Sequence, residues 1–169
     1  MKAKGFFCIL IISLVLIVGC GPKITEITAP PDSISLDEVT KFNLKQLDLD
    51  KLSKSDIKEL DGVKLGPNSL GYELEYRYPD QPIKIKIIKF NSNEDISSFW
   101  RQWLAVHNLQ IPSSEAAVKF QLENKYSVYA WQKGQWLTYI GVPNEPLRDK
   151  VKDIIANHYL NLAKKETTN

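Results

Sequence analysis

The chain reads as an α+β domain, a mainly antiparallel sheet of about five strands with two helices packed on one face. Three observations support this class. Residues 70–90 hold two runs of alternating apolar and charged side chains separated by a turn. Residues 92–107 and 144–162 each carry an apolar stripe at helical spacing. Between those helices lie further strand-like runs, ending in a hairpin around Lys133-Gly134. The expected order is β-β-α-β-β-β-α.

In LGYELEYRY, Tyr72, Leu74, Tyr76 and Tyr78 face one way and Glu73, Glu75 and Arg77 the other. PDQP makes a turn. IKIKIIKF then places Ile83, Ile85 and Ile87 on one face and Lys84 and Lys86 opposite. A four-residue loop would pair Tyr78 with Ile83, set Glu75 across from Lys86, and gather the tyrosines and isoleucines on one buried face. The charged face reads as a solvated surface with cross-strand ion pairs rather than a substrate site. Ile87-Ile88 breaks the alternation, which marks a bulge.

Ser92 and Asp95 fit a capping box. Ile96, Phe99, Trp100, Trp103, Leu104 and His107 form the first helical stripe, better suited to a core than to a cofactor. A strand follows around Ala117–Leu122. In YAWQKGQWLTY, a Lys133-Gly134 loop of type I′ sets Gln132 opposite Gln135 and Trp131 opposite Trp136. Val128, Ala130, Leu137 and Tyr139 then face the core. Trp131, Trp136 and Tyr129 form an outer aromatic face, a lock on the hairpin and a candidate binding surface where it stays uncovered. The opposite assignment buries Trp131, Trp136 and Ile140 and leaves no site. Asn144 is a good N-cap and Pro146 is tolerated in the first helical turn. Leu147, Val151, Ile154, Ile155, His158 and Leu162 make the second stripe. The tail AKKETTN is polar and expected to fray. Residues 36–66 give mixed signals, with a short helix expected near Ser53–Leu60.

The first residues, MKAKGFFCILIISLVLIVGC, combine a basic start at Lys2 and Lys4 with an apolar run from Phe6 to Val18. This is the layout of a secretory signal peptide, and the run falls short of the roughly 20 apolar residues of a membrane span. Its end, Ile17-Val18-Gly19-Cys20, resembles the lipobox of bacterial lipoproteins. That resemblance implies lipidation of Cys20, cleavage before it, and attachment to the lipid bilayer of the cell envelope. Gly21, rather than the aspartate that retains some lipoproteins at the inner membrane, implies the periplasmic face of the outer membrane in a two-membrane organism. In other organisms the expected place is the outer face of the cell membrane. Residues 1–19 are then signal, 20–35 the lipidated cysteine and a flexible tether, 36–163 one globular domain and 164–169 the tail. The order of elements over 70–160 also resembles secreted domains of unknown function and the PsbP/Mog1-like α/β sandwich of some small lipoproteins.

Removing residues 1–19 takes two lysines from the 22 basic residues and none of the 20 acids, so the mature chain is neutral. That balance and the export signal argue against a nucleic-acid partner. With Cys8 lost and Cys20 acylated, no thiol remains for disulfide, nucleophile or metal chemistry. The sequence has no P-loop, dinucleotide glycine fingerprint, nucleophile elbow or paired-histidine motif. His107 and His158 each end an apolar stripe, where a packed histidine with one polar partner is the simpler reading. Asp48, Asp50 and Asp56 lack the glycine and glutamate register of a calcium loop. No catalytic residue, metal site or cofactor is assigned. The expected function is non-enzymatic binding of another envelope macromolecule. A small-ligand or glycan module built on exposed aromatics is the alternative, and a hydrolase is third.

Cys20→Ser removes the sulfur that carries the lipid and, on this reading, also blocks the cut before residue 20, because the lipoprotein peptidase acts on the lipid-modified cysteine. Metabolic labelling with a clickable fatty acid should show no label on the variant; persistent label contradicts the assignment.

Overall fold

The computed structural model describes residues 27–79, 81–112, 116–122 and 126–168. The expected signal peptide, Cys20 and the first part of the expected tether lie outside them. In chain order the elements are α1 (Leu36–Val39), a 3-10 turn at Lys45–Leu47, β1 (Lys51–Asp56), β2 (Glu59–Leu60), β3 (Val63–Lys64), β4 (Leu70–Tyr76), β5 (Ile83–Lys89), α2 (Asn93–Val106), β6 (Ala117–Gln121), β7 (Ser127–Lys133), β8 (Trp136–Val142) and α3 (Glu145–Glu166). The main sheet has six strands in the order β1-β4-β5-β8-β7-β6. Every neighbouring pair in it is antiparallel. β2 and β3 form a separate two-stranded ribbon.

From residue 70 onward the observed order is the expected β-β-α-β-β-β-α. The sixth strand comes from 36–66. There the expected helix near Ser53–Leu60 is replaced by β1 and β2. All six residues of β1 are exposed. An edge strand that buries nothing leaves no apolar period to read, and its pairing with β4 decides the conformation.

The helices do not share one face, as the sequence suggested. On the first face, α1 and α3 cover Leu74, Tyr76, Ile83, Ile85, Ile87, Trp131, Trp136, Ile140 and Val142, using Leu36, Val39, Val151, Ile155, Tyr159 and Leu162. On the second face, α2 supplies Ile96, Phe99, Trp100, Trp103 and Leu104 over Ile88, Val128, Ala130, Leu137 and Tyr139, with Leu60 and Val63 of the ribbon beside them. β8 lies under both layers and is buried along its whole length. A strand covered on both sides loses its polar alternation, which is why WLTYIGV looks apolar throughout.

The β4–β5 register is Tyr76↔Ile83, Glu75↔Lys84 and Glu73↔Lys86. It differs from the expected register by two residues, so each side chain keeps its face while its partner changes. No bulge follows Ile87: Tyr72↔Ile87 and Gly71↔Ile88 continue without a shift. Ile88 is apolar because that end of the second face lies under α2. The irregularity of the sheet falls instead between Lys51 and Ser53. At Gly71 a Cβ would stand 2.7 Å from Ile57 Cγ1 and 3.1 Å from Ile88 Cγ1, so the close packing there requires glycine.

Both long helices start at the expected caps. Ser92 Oγ accepts from Asp95 N at 3.1 Å and Asn144 Oδ1 from Leu147 N at 3.0 Å. The buried stripe of α3 includes Tyr159, which the sequence reading passed over, while Leu147 and Ile154 pack only at its margin. α3 continues to Glu166, so the first part of the expected tail is helical. Lys164 and Lys165 in its last turn suit the negative end of the helix dipole. Buried Arg148 ties the start of α3 to the sheet, donating from Nη1 to Ser127 Oγ at 2.7 Å.

Residues 27–35 are not a free tether. Thr28 is buried, and Ile27, Ala29 and Ile34 pack on the first core. Trp131 Nε1 donates to Thr28 O at 2.7 Å, Lys133 Nζ to Ile27 O at 2.9 Å, and Lys89 Nζ to Ile34 O at 3.2 Å. These contacts strap the segment across the β7–β8 hairpin.

Tyr159 OH and Thr138 Oγ1 share a buried hydrogen bond of 2.9 Å between α3 and β8. Tyr159→Phe removes one partner and should cost about 1 kcal/mol, which lowers Tm by roughly 2–4 °C. An unchanged melt would show that this bond does not help dock the helix.

Candidate functional site

The aromatic surface expected at Trp131, Trp136 and Tyr129 is covered. Trp131 and Trp136 are 3% and 1% exposed, and Tyr129 is partly buried. The hairpin loop is Gly134-Gln135 rather than Lys133-Gly134. Lys133 pairs with Trp136 and Trp131 with Thr138, so the two indoles are not directly opposed. Gly134 has φ 58° and Gln135 is not at positive φ, the pattern of a type II′ turn with glycine first. Trp131 and Trp136 do lie together opposite Val128, Ala130, Leu137 and Tyr139, but the outer placement expected for them does not hold: the assignment that buries Trp131, Trp136 and Ile140 is the one observed. What the sequence did not show is that α3 and the strap cover the tryptophan face. Tyr129 stacks on Trp131 at 5.1 Å, and Trp131 meets Tyr159 at 6.5 Å. Burying an indole removes on the order of 200 Å², a gross gain of about 5 kcal/mol. Trp136 Nε1 has no hydrogen-bond acceptor among the described residues. That deficit, about 1–3 kcal/mol, is partly offset by the Lys89 ammonium 5.0 Å over the ring.

A row of partly buried charged side chains lies on the other side of the sheet, at the margin of the α2 layer. Lys84 Nζ is 3.1 Å from Glu75 and 3.6 Å from Glu73; Lys86 Nζ is 3.2 Å from Glu73 and 3.8 Å from Asp61. Ser53 of β1 donates to Glu75 at 3.3 Å. The result is an alternating strip, Asp61, Lys86, Glu73, Lys84, Glu75, running from the β2–β3 ribbon toward β1. Partial burial works against the Lys84 charge, but Glu75 and Glu73 outweigh it and hold the ammonium above its ordinary value. Tyr139 adjoins the strip with the Lys86 ammonium 5.3 Å over its ring. Burial, then the charges of Asp61 and Glu73, push its phenol upward, so it stays neutral.

Asp61 organises one end of the strip. It has φ 51° and Gly62 φ 83°, the double positive φ of a type I′ turn joining Leu60 to Val63. Its Oδ2 accepts from Trp103 Nε1 at 2.9 Å and lies 3.0 Å from His107 Nε2. His107 packs against Trp103 at 4.8 Å and Phe120 at 4.9 Å. His158 is on the opposite face of the sheet, 3.2 Å from the Glu38 carbonyl, so the two histidines do not converge. Among the described residues no group of three or more His, Cys, Asp or Glu is placed to hold a metal ion. The sequence reading passed over Asp61, although Asp-Gly between short strands is a strong hairpin signal.

No family model matches the chain, and no curated protein matches it significantly. Among solved structures, a GTP binding regulator from Thermotoga maritima is similar, with a TM-score of 0.49 and 15% identity over 77% of this chain and 90% of that chain. A likeness that loose carries no argument about ligand.

Asp61→Ala strands the Trp103 N–H and places a Cβ-bearing residue with no local hydrogen bond in the left-handed region. It should destabilise by about 2–3 kcal/mol. Asp61→Asn, which tolerates that conformation and keeps an acceptor, should cost clearly less. Urea denaturation of the two variants tests this; equal losses would remove Asp61 from its organising role.

Proposed function

We propose that this protein is a lipid-anchored lipoprotein of the bacterial cell envelope whose domain binds another envelope macromolecule without catalysis, through the strip from Asp61 to Glu75. The observation that supports it is the uneven covering of the sheet. Helices and strap bury the first face and α2 covers part of the second, yet a row of charges stays accessible there, from 14% exposed at Lys86 to 40% at Lys84. Ion pairs as exposed as Lys84–Glu75 contribute about 0.2–1 kcal/mol, small beside the indoles packed under α3. A fixed pattern of alternating charge contributes more to selecting a partner than to holding a fold. The groups of the strip are engaged with one another rather than aimed into a cleft, which fits recognition better than hydrolysis. The glycan reading loses the aromatic platform on which it rested.

A photocrosslinking residue at Lys84 in the intact lipoprotein, expressed in its native membrane, should give a discrete adduct. The same residue at Asn157, exposed on α3, should not. Lys84→Glu introduced beside a crosslinker at Ser53 should abolish the adduct. Equal adducts from both faces, or none from the strip, would defeat the proposal.

A further inference from the structure

We infer that the end of the domain carrying the β7–β8 turn faces the membrane and rests on the lipid headgroups. This rests on the lipoprotein reading and adds an orientation to it. The first described residue, Ile27, is already bound to the domain: its carbonyl accepts from Lys133 Nζ at 2.9 Å. The next carbonyl, of Thr28, accepts from Trp131. The strap then crosses to Asp32, whose carboxylate would stand 3.3 Å from a Cβ at Gly134. From Cys20 to Ile27 there are seven residue steps, a reach of at most about 25 Å. A tether running to residue 35 would have reached roughly twice as far.

The point of attachment is therefore at one end of the sheet. Register places Leu70, Lys89, Trp136 and Lys133 in one row across β4, β5, β8 and β7. Leu70 is 57% exposed there, the most exposed large apolar side chain among the described residues. The last turn of α3, with exposed Lys164 and Lys165, ends nearby, where Ser33 Oγ donates to Glu166. A strand of seven residues is roughly 20–25 Å long, comparable to the whole reach of the tether. With the attachment at the turn end, the loop between Tyr76 and Ile83 points away from the bilayer. An exposed leucine paired with Lys89, at the end that carries Lys133, Lys164 and Lys165 together with Asp32 and Glu166, suits the headgroup region, where lysine stems and ammonium groups are both accommodated.

The test uses intact lipoprotein reconstituted into phosphatidylcholine–phosphatidylglycerol vesicles containing a headgroup nitroxide lipid. A thiol-linked fluorophore is placed at Gln135→Cys in the turn or at Arg77→Cys at the far end, and Cys20 acylation is read by intact mass. The expected result is strong quenching at Gln135 and little at Arg77. An insert of about 20 Gly/Ser residues after residue 26, adding a flexible reach of roughly 25 Å, should reduce the Gln135 quenching while acylation persists. Equal quenching at both positions, greater quenching at Arg77, or undiminished quenching with the insert would overturn the orientation while an acylated Cys20 leaves the lipoprotein reading standing. A Cys20 without acyl chains would overturn both.

Discussion

The fold depends on the β7–β8 hairpin being covered on both sides. Its tryptophans face α3 and the strap, and its Val128, Ala130, Leu137 and Tyr139 face α2. Neither layer alone would bury the hairpin, and β5 and β4 extend the same sheet by pairing with β8. The contact that closes the first face is small. The Trp131 indole N–H reaches the Thr28 carbonyl at 2.7 Å, 103 residues away in sequence. A buried N–H without that carbonyl would cost about 1–3 kcal/mol. The strap is thus part of the domain, and whatever lies before residue 27 is joined to a rigid point.

Much of this architecture was legible in local pattern. The strands from Leu70 to Lys89 alternate because their first face is buried while the Lys84–Lys86 part of the other is only partly covered. The helix starts at Ser92 and Asn144 were readable because capping is chemistry local to a few residues. The β4–β5 and β7–β8 registers each differ by two residues from those the sequence predicts. Alternation fixes which face a side chain takes but is blind to a shift of two, so loop geometry had to decide. β1 was invisible for the converse reason: with every residue exposed, only pairing to β4 makes it a strand.

The candidate site shows the same division. Glu73, Glu75, Lys84 and Lys86 could be placed on one charged face, and ion pairing between the strands was expected. That Asp61 joins them could not be seen, because it requires the β2–β3 ribbon to meet the end of α2 across 42 residues of sequence. The aromatic surface failed for a long-range reason as well. The stretch containing Thr28 has three prolines and no apolar period, so nothing local marks it as the cover over Trp131.

Exchange of the Trp131 indole proton, followed by NMR, tests the strap most directly. In protein beginning at residue 27 the signal should exchange slowly, at a rate comparable to core amides of β8. In protein beginning at residue 36 it should exchange much faster while the core amides under α2 remain protected. Equal protection with and without residues 27–35 would contradict the account, because the tryptophan face would then be closed by something other than the strap.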